Sequence, residues 1–298
     1  VLVNNGADVN EEEELGYTPT YIAAQEGHVE VVKLLAELGA DFNRPAIDGT
    51  TPVWSAAQEG HDAVVKLLGE LGADVNFSEE RNFTPAYIAA LEGHLEVIRV
   101  LGQVGANFNQ PAIDGTTPTW VAALEGYVEV VRLLAEFGAN VDTPSNSGIT
   151  PFFIASKMGR LEVVKFLYRK LMKKYETADD ETKQEIINSI RIAIEQAENL
   201  DNVPEHIDMN SKKDVVRFLK SSVRDIRNLK TSSRNNLSDI FDEEDVPGVI
   251  KLTKSYLGSI GGKKQKKQKT NKSKTNKSKK NKSKTKKQIN RRKIHKNK

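Results

Sequence analysis

The chain has 298 residues, 38% of them hydrophobic and 29% charged, enough to bury a core and keep a polar surface. It contains no cysteine, which excludes disulfides, thiolate zinc sites and cysteine nucleophiles together and favours an intracellular setting, cytoplasmic or nuclear. Its net charge of +3 conceals a segregation: 9 basic against 24 acidic side chains over residues 1–168, 16 against 17 over 169–260, and 19 against none over 261–298.

The predicted elements repeat. Thr-Pro pairs begin at Thr18, Thr51, Thr84, Thr117 and Thr150, and Gly-Ala pairs at Gly6, Gly39, Gly72, Gly105 and Gly138. The interval is constant within each series and identical between the two, so two independent markers share one period. Within one unit, Thr18 supplies an N-cap hydroxyl and Pro19 suits the first helical position, where its missing N–H costs nothing. Ile22, Ala23 and Ala24 allow close backbone packing, and Gly27 ends this short helix. Val31, Val32, Leu34, Leu35 and Leu38 then form the apolar stripe of a second helix, closed by Gly39 in a left-handed C-cap. The polar segment from Ala40 to Gly49 reads as a hairpin loop. One such helix pair cannot bury its apolar face alone, so the units must stack into a solenoid whose stability is a nearest-neighbour sum. Val1–Asn10 reads as the tail of a further repeat, which implies an uncapped first face and a longer natural protein.

The hairpins alternate as well. Pro45-Ala46-Ile47-Asp48-Gly49 returns two units later as Pro111-Ala112-Ile113-Asp114-Gly115, and a Tyr/Trp alternation has the same double period. Duplication of a two-repeat block explains both.

Beyond the units, the stripe Leu161, Val163, Val164, Phe166, Leu167, Leu171 extends the last second helix to about Lys174. Ile186, Ile187, Ile190 and Ile194 predict a helix at 179–199; Val215, Val216, Phe218, Leu219, Val223 and Ile226 predict another at 211–229; a weaker one falls at 247–260. The chain thus divides into a repeat region (1–174), a helical extension (175–260) that caps the last repeat or stands as a separate small domain, and a Lys-rich tail (261–298). With no apolar surface to offset its ordering entropy, the tail is expected to be disordered.

The recurring Thr-Pro, Ala-Ala, Gly-His, Glu-Val-Val-Lys-Leu-Leu and Gly-Ala-Asp resemble the ankyrin repeat over residues 1–168, with five Thr-Pro units. The resemblance implies an all-α solenoid (an α-solenoid of helix-turn-helix repeats joined by hairpin loops) that works by holding another protein. The family's Leu-His after Thr-Pro is replaced here by Thr20-Tyr21, Val53-Trp54, Ala86-Tyr87, Thr119-Trp120 and Phe152-Phe153. An aromatic ring is expected to take the histidine's place by packing between repeats, with an aromatic ligand stripe as the alternative. The Gly-Gly-Lys-Lys start to a lysine-rich C-terminus further resembles ankyrin-repeat proteins of large DNA viruses of protists.

Carried over from the family, the recognition surface comprises Glu14, Tyr17, Ile47, Asp48, Glu80, Arg81, Phe83, Ile113 and Asp114 on the hairpins. Gln25, Glu26, Gln58, Glu59, Leu91, Glu92, Leu124 and Glu125 join it at the ends of the first helices. Glu26, Glu59, Glu92 and Glu125 make a carboxylate ladder with one rung per repeat, which favours a basic partner, with a solvated acidic surface inherited by each duplicated repeat as the alternative. His28, His61 and His94 fall at the family's structural helix-start position. No Gly-rich phosphate loop, paired-His metal helix or nucleophile elbow is present, so no catalytic residue, metal or cofactor is expected. No apolar run approaches the roughly 18 residues that span a bilayer, so no membrane contact is expected either.

The tail carries its own alternative, nucleic-acid binding through phosphate contacts without sequence readout, since it lacks aromatics for stacking. Lys263, Lys264, Lys266, Lys267 and the cluster Arg291, Arg292, Lys293 also fit nuclear-import signals. Tail and repeats carry opposite charge, so the tail is a candidate for self-interaction with the acidic face. Deleting residues 261–298 should then raise affinity for a basic peptide at low salt, and unchanged affinity would sink that idea.

Overall fold

Each short helix begins where its cap dictates. A computed structural model describes residues 6–198 and 208–231. Among the described residues there are twelve helices and no strand: α1 (Pro19–Gln25), α2 (Val29–Glu37), α3 (Pro52–Glu59), α4 (Asp62–Glu70), α5 (Pro85–Glu92), α6 (Leu95–Gln103), α7 (Pro118–Glu125), α8 (Val128–Glu136), α9 (Pro151–Lys157), α10 (Leu161–Thr177), α11 (Asp180–Glu198) and α12 (Met209–Thr231). The hydroxyls of Thr18, Thr51, Thr84, Thr117 and Thr150 accept from the amides of Tyr21, Trp54, Tyr87, Trp120 and Phe153, with proline at the head of each helix. Gly60 closes α3 at φ 84°, and it is required twice over: the conformation is left-handed, and a Cβ would stand 2.8 Å from the His94 ring.

The helices form two layers. Each inner helix packs on the next, α1 on α3, α3 on α5, α5 on α7 and α7 on α9, while α2, α4, α6, α8 and α10 line up behind them. Val64, Leu68, Ile98, Leu101, Val131 and Leu134 of the outer layer are buried in the seam between layers. In the first hairpin Ile22, Val31 and Leu34 are exposed. Their counterparts Ile88, Val121, Val64, Val97, Val100 and Leu133 are buried, because a neighbouring hairpin lies against them.

The aromatic substitutions pack into the inter-repeat seam, and they also restore the polar link that packing alone would have lost. Tyr21, Trp54, Tyr87, Trp120 and Phe153 are all buried. The Tyr21 hydroxyl meets Thr50 Oγ1 at 3.0 Å and Tyr87 meets Thr116 Oγ1 at 3.0 Å. Trp54 Nε1 donates to the Phe83 carbonyl at 2.9 Å and Trp120 Nε1 to the Ile149 carbonyl at 2.8 Å. Each bond reaches the residue 29 positions on, in the next repeat. Thr50 and Thr116 already give their hydroxyl protons to Asp48 and Asp114, so the tyrosines are the donors.

A second tie runs along the hairpin bases. Asn10, Asn43, Asn76 and Asn109 each accept, through Oδ1, the backbone N–H of Asp41, Asp74, Asn107 and Asn140 in the following repeat, at 2.6–2.8 Å. The row ends at Asp142, which takes the Lys174 ammonium at 2.7 Å instead. Replacing Asn76→Ala should lower stability by about 1 kcal/mol, the usual net worth of one such bond, and Asn76→Asp, which keeps the acceptor, by less. Urea midpoints of the two variants check this.

The expected helices at 179–199 and 211–229 are α11 and α12. They form a hairpin that continues the stack: α11 packs on α9, and α12 packs on α11 and α10. Lys212 Cγ lies 3.1 Å from the position a Cβ on Gly159 would take. His61, His94, Tyr127 and Arg160 lie the same way against Gly27, Gly60, Gly93 and Gly126. Burial, with Lys212 alongside, holds the Lys157 ammonium below its ordinary range. A lysine so shifted binds protons more weakly folded than unfolded, so its contribution to stability rises with pH on the approach to its ordinary value near 10.5. Gln25, Gln58, Leu91 and Leu124 hold the matching position in the other repeats, so Lys157→Leu should raise the urea midpoint and flatten that alkaline rise. The helix expected at 247–260 lies outside the described residues.

Candidate functional site

The charge of the repeats is unevenly placed. The outer helices α2, α4, α6 and α8 carry seven acidic and four basic side chains, whereas the hairpins and inner helices between residues 6 and 127 carry fifteen acidic and two basic. On the outer helices the bases recur with the acids, and neighbours pair along the helix: Arg99 with Glu96 at 3.1 Å, Arg132 with Glu129 at 3.5 Å and Lys66 with Glu70 at 3.8 Å. None of the salt bridges among the described residues engages Glu26, Glu59 or Glu92. The inner face is therefore an acidic surface whose field is not cancelled locally.

The Glu ladder stands at the C-terminal ends of α1, α3, α5 and α7, with Glu26, Glu59 and Glu92 exposed and Glu125 half-buried. Burial, and then the carboxylates of Glu125 and Glu92, push the Tyr127 phenol above its usual range. Gln25, Gln58, Leu91 and Leu124 are half-buried one residue earlier. Three of them give their backbone carbonyls to the next repeat: Gln25 to His61 Nε2 at 3.0 Å, Gln58 to His94 Nε2 at 2.9 Å and Leu124 to Arg160 Nε at 3.0 Å. The two histidines are thus structural ties, as their position after glycine implied.

At the hairpin tips Glu14, Ile47, Asp48, Glu80, Arg81 and Ile113 are exposed and Asp114 is half-buried. Tyr17 and Phe83 are held back from the tip: each is half-buried and stacks on the aromatic of its own repeat, Tyr17 on Tyr21 at 4.4 Å and Phe83 on Tyr87 at 4.3 Å. Arg81 lies 4.9 Å over the Phe83 ring and 3.5 Å from the Glu79 carboxylate. Lys263, Lys264, Lys266, Lys267, Arg291, Arg292 and Lys293 lie outside the described residues.

Two features escape the sequence reading. The asparagine row keeps the period of the repeats and is visible as Asp-x-Asn or Asn-x-Asn after the first four Gly-Ala pairs. The other is the change of sign at the end of the inner face, where Met158 replaces the glutamate and Lys157, Arg160 and Lys212 follow. Lys212 carries no local signal, because it stands much further along the chain from Gly159 than His61 does from Gly27.

A row of helical hairpins with projecting tips and a continuous inner face defines a solenoid of stacked repeats. The family model described as "Ankyrin repeats (3 copies)" matches residues 1–79, 43–112 and 87–179, and the chain belongs to the ankyrin-repeat family. No curated protein matches the chain. Ankyrin repeats are protein-interaction modules. Among the described residues no group of three or more His, Asp or Glu is placed to hold a metal ion, and no helix is long and apolar enough to cross a membrane.

Proposed function

We propose that this protein is an interaction scaffold that holds a basic segment of a partner protein against the acidic inner face and hairpin tips. The observation that carries the reading is the charge imbalance of that surface between residues 6 and 127, fifteen acids to two bases, against seven to four on the outer helices α2, α4, α6 and α8. Opposite potentials steer encounter and set the register of a bound chain more than they set its final affinity. The test is a titration of the full chain with a fluorescent lysine-rich peptide at rising salt. Binding that weakens steadily as ionic strength climbs supports the reading; equal binding of a glutamate-rich peptide, or none of the lysine-rich one at low salt, overturns it. Running the same titration on the chain without residues 261–298 measures how far the basic tail competes.

A second reading rests on the tail's composition, 17 Lys and 2 Arg with no acid. In it the chain is a nucleic-acid-associated protein and the repeats are carried along. Duplex DNA bound with a steep salt slope by the full chain alone, and not by the tail-deleted chain, favours this second reading.

A further inference from the structure

The register that the hairpins share runs Glu14, Ile47, Glu80, Ile113, Asn146, one residue per tip at equal steps along the chain. Carboxylate and isoleucine thus alternate along the row of tips. The two isoleucines are the most exposed large apolar side chains among the described residues, at 75% and 67%. A single exposed aliphatic needs no explanation. Two on identical mounts, separated by a carboxylate, are a pattern.

The mounts are rigid. Ile47 N–H donates to the Leu15 carbonyl at 3.0 Å and Ile113 N–H to the Arg81 carbonyl at 3.1 Å, so each tip is pinned to the hairpin before it. Asp48 and Asp114 each accept from the backbone N–H of Thr50 and Thr116 at 3.0 Å and from their hydroxyls at 2.5 Å. Those hydroxyls in turn receive Tyr21 and Tyr87. Ala46 and Ala112 are buried just beneath. A side chain projected from such a turn needs little ordering when a ligand arrives, which is what an anchor requires.

Spacing then selects the ligand. Packed helices stand about 8–10 Å apart, so neighbouring tips are separated by roughly that distance and the two isoleucines by about twice it. An extended polyproline-II segment advances ~3.1 Å per residue with three residues per turn, so its i, i+3 and i+6 side chains share one side at ~9 Å intervals. We propose that Ile47 and Ile113 are twin anchors for an extended basic segment with a three-residue period, in which apolar side chains six residues apart meet the isoleucines and basic ones alternating with them meet Glu14 and Glu80. This rests on the acidic-face reading and names the chemistry of its partner.

The test uses the full chain and two fluorescent peptides of one composition. The patterned peptide is Lys-Ser-Pro-Leu-Ser-Pro repeated; the other holds the same residues with the leucines adjacent. At about 0.15 M salt, where exposed charges beyond ~8 Å are screened, the patterned peptide should bind at least about tenfold more tightly. Ile47→Ser and Ile113→Ser should each cost about fivefold with the patterned peptide only, and together bring it to the level of the scrambled one. Both isoleucines are at the surface, so circular dichroism should find the variants folded. Equal affinity of the two peptides for the native chain, or a double variant that still prefers the patterned peptide, overturns the anchors. If both peptides bind equally and release with salt, the anchors fail while the acidic face stands; if neither binds at low salt, both fail.

Discussion

Trp120→Ala should lower stability by about 3–5 kcal/mol, the largest loss expected from any one substitution in the repeats. Trp120 is 1% exposed, the largest side chain among those fully buried, and it sits between the fourth and fifth hairpins. Its ring fills that seam, and its Nε1 ties the hairpins through the Ile149 carbonyl. Trp120→Phe should cost nearer ~1 kcal/mol, because most of the ring is kept and the carbonyl still accepts the Ser145 N–H at 3.0 Å. Trp54, with 9% exposure, should respond less to alanine than Trp120 does. In a solenoid each hairpin is held by its neighbours, so weakening one seam also uncouples the two sides of it. Trp54 is then the single remaining tryptophan, a reporter confined to the first half of the stack. Urea unfolding followed by Trp54 fluorescence should no longer coincide with unfolding followed by far-ultraviolet circular dichroism. Coincident curves with an unshifted midpoint would show that the seam is not what couples the repeats.

That seam marks where sequence reasoning reaches and where it stops. The constant interval between repeats, the Thr-Pro caps and the outer stripe are signals carried by a residue and its near neighbours along the helix, and they place α1 through α10. The partners of Tyr21 and Trp54 are not legible, because the acceptor lies 29 positions away and changes type, a threonine hydroxyl in one repeat and a backbone carbonyl in the next. That the helices after residue 175 cap the last repeat is one of the two arrangements the sequence offers, but the register in which α11 and α12 stack is hidden for a related reason. They lack the Thr-Pro and Gly-Ala markers, and helices of 19 and 23 residues break the period, so only the position of Lys212 against Gly159 betrays the register. Among the candidate recognition residues, the family resemblance places Ile47 and Phe83 on hairpins alike. Packing separates them: one points out from a pinned turn and the other stacks on Tyr87.

Reversing the ladder, with Glu26→Lys, Glu59→Lys, Glu92→Lys and Glu125→Lys together, should weaken binding of a lysine-rich peptide by about 100-fold or more at low salt. An exposed ion pair contributes on the order of 0.2–1 kcal/mol, and reversal both removes four attractions and installs four repulsions. Each ~1.4 kcal/mol is a factor of ten. The loss should shrink as salt rises, since the screening length falls from ~30 Å at 0.01 M to ~8 Å at 0.15 M. Stability should not fall, because the rungs stand at the C-terminal ends of short helices, where a cation suits the helix dipole, and, among the described residues, none of Glu26, Glu59 or Glu92 shares a salt bridge. Net charge alone is separated from placement by a matched variant on the other layer: Glu30→Lys, Glu96→Lys, Glu129→Lys and Glu162→Lys change the formal charge by the same amount on α2, α6, α8 and α10. If the peptide reads the inner face, the outer variant should retain most of its affinity. Equal losses from both sets would mean that the peptide responds to the overall charge of the molecule, and the inner face would lose its claim to be the place where a partner is held.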